Sequence, residues 1–197
     1  MYETSHIGTC NFPSPRLNFG PRWTASNAEE DFARSFAVDY DSRYAAIHPG
    51  SSKMCRVLAH EVPVNGFGIA DLVTVSWNTG AANPLNLPAA WNELHAQPTV
   101  RAFEVKLSDW RRGLMQAHRY NYFADTAILV LPTAKLPTVL NLDTFKNIRV
   151  GLWGYDETTG KIIKIYTPRP KRPVRPNHRE KAIERVLAVI NQAPSSS

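Results

Sequence analysis

Cysteine is scarce in this chain. Cys10 and Cys55 are the two thiols in 197 residues, far apart and outside any C-x-x-C arrangement. A disulfide-framed scaffold and a cysteine-rich zinc module are therefore excluded, and two reduced cysteines of an intracellular protein are the plainer reading over a disulfide or metal pair. Long apolar runs are missing as well: none approaches the ~18 residues that a membrane span needs, and the first residues carry no apolar signal-peptide segment. The expectation is a soluble, cytoplasmic protein with no membrane partner. Internal repeats are absent. The Gly66-x-Gly68 pair precedes a strand pattern instead of a helix, so it is not a nucleotide-binding glycine loop. His60 and His118 have no second ligand at metal-binding spacing and read as ordinary polar residues.

What is present fits one domain. Hydrophobic residues make up 43% of the chain, enough for one sizeable core. The formal net charge is +6 and the pI about 9.5, a balance that suits a polyanionic partner.

The organising stretch is Val100 to Leu107, alternating and rich in β-formers, which predicts a strand. Residues two apart on a strand share a face, so Glu104 and Lys106 stand side by side with Val105 opposite. Ser108 is a good helix N-cap, with Asp109 in the first turn where the helix dipole favours it. The helix that follows places Arg112, Gln116, Arg119 and Tyr120 on one polar face. Ala127 to Leu131 is a continuous apolar run ended by Pro132, the pattern of a buried strand. Strand, helix and buried strand make a βαβ crossover. Upstream, Gly66 to Val75 sets Asp71 inside another strand just after a glycine turn.

The ordered set of Asp71, then Glu104-Val105-Lys106, then Gln116-x-x-x-Tyr120 resembles the PD-(D/E)xK nuclease superfamily across the middle of the chain. The residue before Asp71 is Ala70 and not the proline of the family's motif, a proline that is often absent in the family. The resemblance implies an α/β fold with a restriction-endonuclease-like core: a central mixed sheet of about five strands flanked by helices, with a C-terminal hairpin and helix. It also implies Mg²⁺, with Mn²⁺ as substitute, held by the carboxylates of Asp71 and Glu104 and the carbonyl of Val105. Two neighbouring carboxylates repel, and a divalent cation relieves this while lowering the pKa of bound water. Lys106 would position that water or stabilise developing charge, helped by a lowered pKa if partly buried. Gln116 would contact the water or phosphate and Tyr120 the substrate backbone, although a tyrosine at this spacing is more often a core residue.

Around this centre the chain reads as follows. Residues 1–26 form an irregular arm, and 27–192 a single domain. Asn27 with Glu30 fits a capping box, opening a helix whose inward stripe is Phe32, Phe36 and Tyr40. Glu29 at its head is either a dipole-stabilising acid or, by the resemblance, a residue reaching the site. Arg56 to Val64 pairs with the strand carrying Asp71 as a hairpin. A three-residue loop would put Glu61 on Asp71's face and a four-residue loop would not, so Glu61 is a reserve ligand. The long segment from Trp77 to Pro98 either borders the substrate groove, with a helical turn around Trp91, or is a surface loop. A short helix from Thr138 to about Phe145 precedes a strand from Ile148 to Trp153, and Lys161 to Tyr166 returns as its hairpin partner. The proline-rich stretch 167–176 runs extended. Asn177 caps a helix to about residue 192, docked by Ile183, Val186, Leu187 and Ile190, and 193–197 is a disordered tail.

Arg112 and Arg119 are either phosphate contacts or solvated charges. Arg169, Lys171, Arg172 and Arg175 either track a nucleic-acid backbone or lie in a linker. The function expected is metal-dependent phosphodiester hydrolysis, with DNA preferred over RNA as partner and a homodimer left open. The rivals are an inactive nucleic-acid-binding module on the same fold and an interaction protein in which Glu104 and Lys106 are a mere surface pair.

Overall fold

The computed structural model describes residues 27–47, 54–64, 66–78, 98–139 and 141–191. The N-terminal arm, both cysteine side chains, the segment around Trp91, Ile190's packing and the tail lie outside them.

Among the described residues, six strands form one mixed sheet in sequential order: β1 (Met54–Val64), β2 (Gly68–Asn78), β3 (Thr99–Val105), β4 (Thr126–Pro132), β5 (Val150–Asp156) and β6 (Lys161–Tyr166). The pairs β3–β4 and β4–β5 are parallel, and the other three are antiparallel. The sheet has one strand more than the expected five because the C-terminal hairpin extends the central sheet. Helix α1 (Ala28–Ile47) covers one face through Phe32, Phe36 and Tyr40, which meet Phe103, Trp153 and Tyr155. The opposite face carries α2 (Trp110–Tyr120), α3 (Leu142–Asn147) and α4 (Pro176–Asn191), packed by Leu114, Ala117, Phe145, Ile183 and Val186. Both faces are therefore sealed, which is why β4 is apolar along almost its whole length.

Local boundaries show where stronger chemistry prevailed. Asn27 Oδ1 accepts the Glu30 N–H at 2.9 Å, as the capping box predicts. Asp109, not Ser108, caps α2, its carboxylate accepting the Arg112 N–H at 3.1 Å. The α4 helix begins at Pro176, with Arg175 supplying the first carbonyl, so Asn177 sits inside the first turn. Proline suits that position because the N–H it lacks would be unpaired there anyway. The predicted helix over 138–145 resolves into a 3₁₀ turn (Thr133–Thr138) and the short α3, since Pro137 cannot extend an α-helix. The β5 strand starts two residues later than predicted and runs on to Asp156.

Two irregularities position the site. Val64 pairs with Gly68 across a three-residue loop, and Gly66 inside it and Gly68 at its end take φ values of 85° and 95°. Farther along, His60–Leu72 and Val62–Ala70 pairs bracket Glu61 and Asp71. The face alternation shifts by one there. Val57 and Ala59 share a core face with Val62 and Val64, and Ala70 shares it with Val73 and Val75. Glu61 absorbs the shift with φ 47°. The β2–β3 pairing then ends at Leu72–Phe103, so β2 leaves β3 beside Glu104.

Gly113 lets α2 lie close over the end of β3. A Cβ there would fall 2.7 Å from Lys106 Cγ and 2.8 Å from Leu129 Cδ1. Alanine normally favours a helix interior by about 1 kcal/mol, but overpacking costs about 1–3 kcal/mol. Gly113→Ala should therefore lower stability in urea denaturation. A gain would show that α2 does not hold this close approach.

Candidate active site

The ends of three elements bring the titratable groups together. Glu104 projects from the last turn of the β3 pleat toward α2 and is 1% exposed. Lys106 follows just past the strand on the same side. Its Nζ lies 2.8 Å from Glu104 Oε1 and 2.8 Å from Glu29 Oε1. Glu29 also accepts the Leu107 N–H through Oε2 at 3.3 Å, so the first turn of α1 clamps the residue pair after β3. Glu104 and Lys106 are thus not a solvated surface pair.

Asp71 joins from β2. Its Oδ2 accepts the Val105 N–H at 2.7 Å, taking the place of the backbone acceptor lost where the ladder ends. The N–H and C=O of one strand residue share an edge, so the Val105 carbonyl is turned to the same side. Glu61 does not join. It stands across from Asp71 in the three-residue-loop register, but its left-handed backbone leaves it exposed. Glu104, Lys106 and Glu29 are the charges that act on Asp71.

Tyr120 departs most from expectation. It is 1% exposed, so it cannot reach a substrate backbone. Its hydroxyl instead meets Glu104 Oε2 and, at 2.9 Å, the Ile69 carbonyl. Neighbouring Gln116 is partly exposed, with a buried Oε1 that has no hydrogen-bond partner among the described residues. Arg112 and Arg119 are exposed on the outer side of α2. The sequence reading missed two companions on that side, Arg111 and the 58%-exposed Met115. Their i, i+4 spacing with Arg119 was the available signal. From Trp110 to Ala124 the chain carries no carboxylate.

Arg169, Lys171, Arg172 and Arg175 are all exposed. Their segment is tied to the turn after α2, with the Lys171 N–H on Asp125 O and the Arg175 N–H on Tyr122 O, each at 3.0 Å. Asp125 adjoins the start of β3, where it accepts the Val100 N–H at 2.7 Å. The segment therefore continues from the C-terminal end of α2, while Lys106 lies near the other end of β3, about 17–20 Å away along the strand.

Burial pushes the Asp71 carboxyl up to about 7, reinforced by the negative charge of Glu104 and opposed by Lys106 and the Val105 N–H. Burial also raises Glu104, against the pull of Lys106 and Tyr120. The expected lowering of Lys106 is reversed. Burial alone would lower it, but the Glu104 and Glu29 carboxylates outweigh that and hold the ammonium above its ordinary range. Both carboxylates thus favour the protonated form of Lys106. Burial lowers His60 to about 4, with Arg34 adding to the effect.

Among the described residues no cluster of three or more His, Cys, Asp or Glu side chains is arranged to hold a metal. The donors that are present suit a hard cation with water completing its shell. Asp71 Oδ1 accepts no hydrogen bond among the described residues, Glu104 Oε1 is paired only with an ammonium, and the Val105 carbonyl faces the gap left by β2. Mg²⁺ is commonly held by one or two carboxylates plus waters.

No family model and no curated protein matches the sequence. A solved structure of a protein of unknown function from Silicibacter pomeroyi is similar at 14% identity, with a TM-score of 0.45, over 82% of this chain and 92% of that one. Neither finding assigns a family or an activity. No helix among the described residues is long and apolar enough to cross a membrane.

The raised Asp71 carboxyl has a measurable consequence. Its folded-state pKa lies above the unfolded value, so its contribution to stability is full below about pH 4 and is lost as pH rises through about 7. In chelator, Asp71→Asn should melt above the wild type at pH 8, by about 2–4 °C for each kcal/mol relieved. The gap should close toward pH 4. Equal melting temperatures across this range would mean that Asp71 is not crowded.

Proposed function

We propose that the protein is a metal-dependent nuclease on a restriction-endonuclease-like core, hydrolysing phosphodiester bonds in DNA in preference to RNA. The observation that carries this reading is the meeting of Asp71, Glu104 and Lys106 where β2 leaves β3, with two acids whose ionisation burial opposes. A binding module for a polyanion gains nothing from two carboxylates at its centre, because each repels the ligand.

Asp71, Glu104 and the Val105 carbonyl would hold Mg²⁺, or Mn²⁺ in its place. The ion would offset the carboxylate charge, lower the pKa of a bound water and polarise the phosphate. The remaining work falls to the chain itself. The Lys106 ammonium, kept protonated by its two acids, would donate to the phosphate oxygen that gains charge or fix the attacking water. Glu29 holds that ammonium in place from α1. Gln116 offers its unpaired Oε1 to a water proton, orienting the lone pair toward phosphorus. The water would give up its proton to solvent as it attacks, the new P–O bond forming as the bond to the leaving oxygen breaks, and the leaving oxygen would take a proton from solvent.

The outer side of α2, with Arg111, Arg112 and Arg119, supplies sequence-independent phosphate contacts beside the site. The exposed cations of 169–175 prolong this basic surface past the end of the helix.

Cleavage of plasmid and single-stranded DNA should require Mg²⁺ or Mn²⁺. Asp71→Ala and Glu104→Ala should each reduce the rate at least ~10²-fold, and Lys106→Ala similarly, since loss of one charge-stabilising donor typically costs about 10²–10³. Cleavage unchanged in either acid variant would sink the assignment. Binding without any cleavage in the wild type would favour an inactive nucleic-acid-binding module.

Replacing Arg169, Lys171, Arg172 and Arg175 together by Gln should flatten the salt dependence of DNA binding. The slope changes by about 0.7–0.9 per phosphate contact, so the drop should reach up to ~3 units. A slope that does not move would make the segment a linker.

A further inference from the structure

Tyr120 closes a circuit through both acids. Its hydroxyl contacts Glu104 Oε2, and the next residue, Val105, gives its N–H to Asp71 Oδ2 at 2.7 Å. Two residues before Asp71 on β2, the Ile69 carbonyl returns to the Tyr120 hydroxyl at 2.9 Å. The hydroxyl has one proton, which these two acceptors share, and this three-centre contact joins the path Tyr120, Glu104, Val105, Asp71, Ile69 and back to Tyr120.

This circuit lies where the backbone ladder gives no support. Regular β2–β3 pairing stops at Leu72–Phe103, before Asp71 and Glu104. Among the described residues the first of β2 pair with β1 alone, at the point where both strands slip in phase, and Ile69 is exposed. By contrast Tyr120 is fixed in the core, its ring 5.5 Å from that of Phe123. A rigid side chain therefore ties a loosely held strand to a fully buried carboxylate.

We infer that Tyr120 is a positioning residue that sets the spacing of the Asp71 and Glu104 carboxylates and thereby makes the site selective for Mg²⁺ over larger divalent ions. The inference rests on the metal-site reading above. Its physical basis is the difference between the ions. Mg²⁺ demands oxygens at 2.0–2.1 Å in near-ideal octahedral geometry, whereas Ca²⁺ accepts 2.3–2.6 Å and variable coordination. A carboxylate pair held at fixed separation rewards the stricter ion. A pair free to drift does so less. Tyr120→Phe removes one oxygen and keeps the ring, so it cuts the tie at both ends without opening a cavity.

The test measures binding, not turnover. Mn²⁺ binding to the full chain is followed by electron paramagnetic resonance, with Mg²⁺ and Ca²⁺ as competitors, for the wild type and Tyr120→Phe. Removing a residue that orients a metal ligand typically weakens affinity about 10–100-fold. Mg²⁺ should weaken within that range and Ca²⁺ by clearly less. Equal loss of both ions, or no loss of either, overturns the inference while leaving the metal site standing. A wild type that binds none of the three ions overturns the metal-site reading and this inference with it. Should Tyr120→Phe fail to fold, the wild type carries the test by nuclear magnetic resonance. The buried Tyr120 hydroxyl proton should be protected from exchange and shift more with Mg²⁺ than with Ca²⁺. A hydroxyl that exchanges freely or responds equally to both ions overturns the inference.

Discussion

The hydrogen bond from the Val105 N–H to the Asp71 carboxylate is the constraint on which the site depends. A strand that leaves its neighbour exposes a backbone donor, and a buried donor without a partner costs about 1–3 kcal/mol. Here a side chain fills that need. The same carboxylate is thereby drawn against Glu104, where its charge is poorly solvated. One hydrogen bond thus completes the sheet and concentrates negative charge at its splayed end. Lys106 compensates as the local counterion, shared between Glu104 on β3 and Glu29 on α1.

Much of the architecture was legible because periodicity and turn chemistry agreed. The apolar run of β4, the capping box of α1 and the Phe32–Phe36–Tyr40 stripe each had one physical solution. The βαβ unit followed from their order. Glu104 and Lys106 on one face followed from the pleat. Glu29 was visible as an acid at the head of the inward stripe, although its bond to Lys106 depends on how α1 crosses the sheet.

The rest depended on facts that no local pattern contains. The three-residue turn was one of two foreseen for Glu61, yet the phase slip at that residue cancels the face it would have assigned. Tyr120 lies one helical turn from Gln116, and spacing alone placed both on a polar face. What separates them is burial, since Tyr120 meets the strand bearing Ile69 while Gln116 remains at the rim. Lys106 was expected to lose proton affinity on burial. That expectation underweighted the Glu104 carboxylate, which lies against the ammonium inside the protein, and omitted Glu29, a residue distant in sequence that adds to it. Register, burial and long-range charge are tertiary properties, and each misplacement traces to one of them.

The contact between Glu29 and Lys106 joins residues 77 positions apart. Closing so long a loop has an entropic cost that grows as the logarithm of its length, and contacts of this kind form late in folding. The Tyr120 hydroxyl adds a partner farther along the chain still. While the protein is being made, its acids therefore remain separate, hydrated groups of ordinary character until α1, β2, β3 and α2 have all emerged and docked. A nascent chain carries every residue of the centre well before it carries the centre.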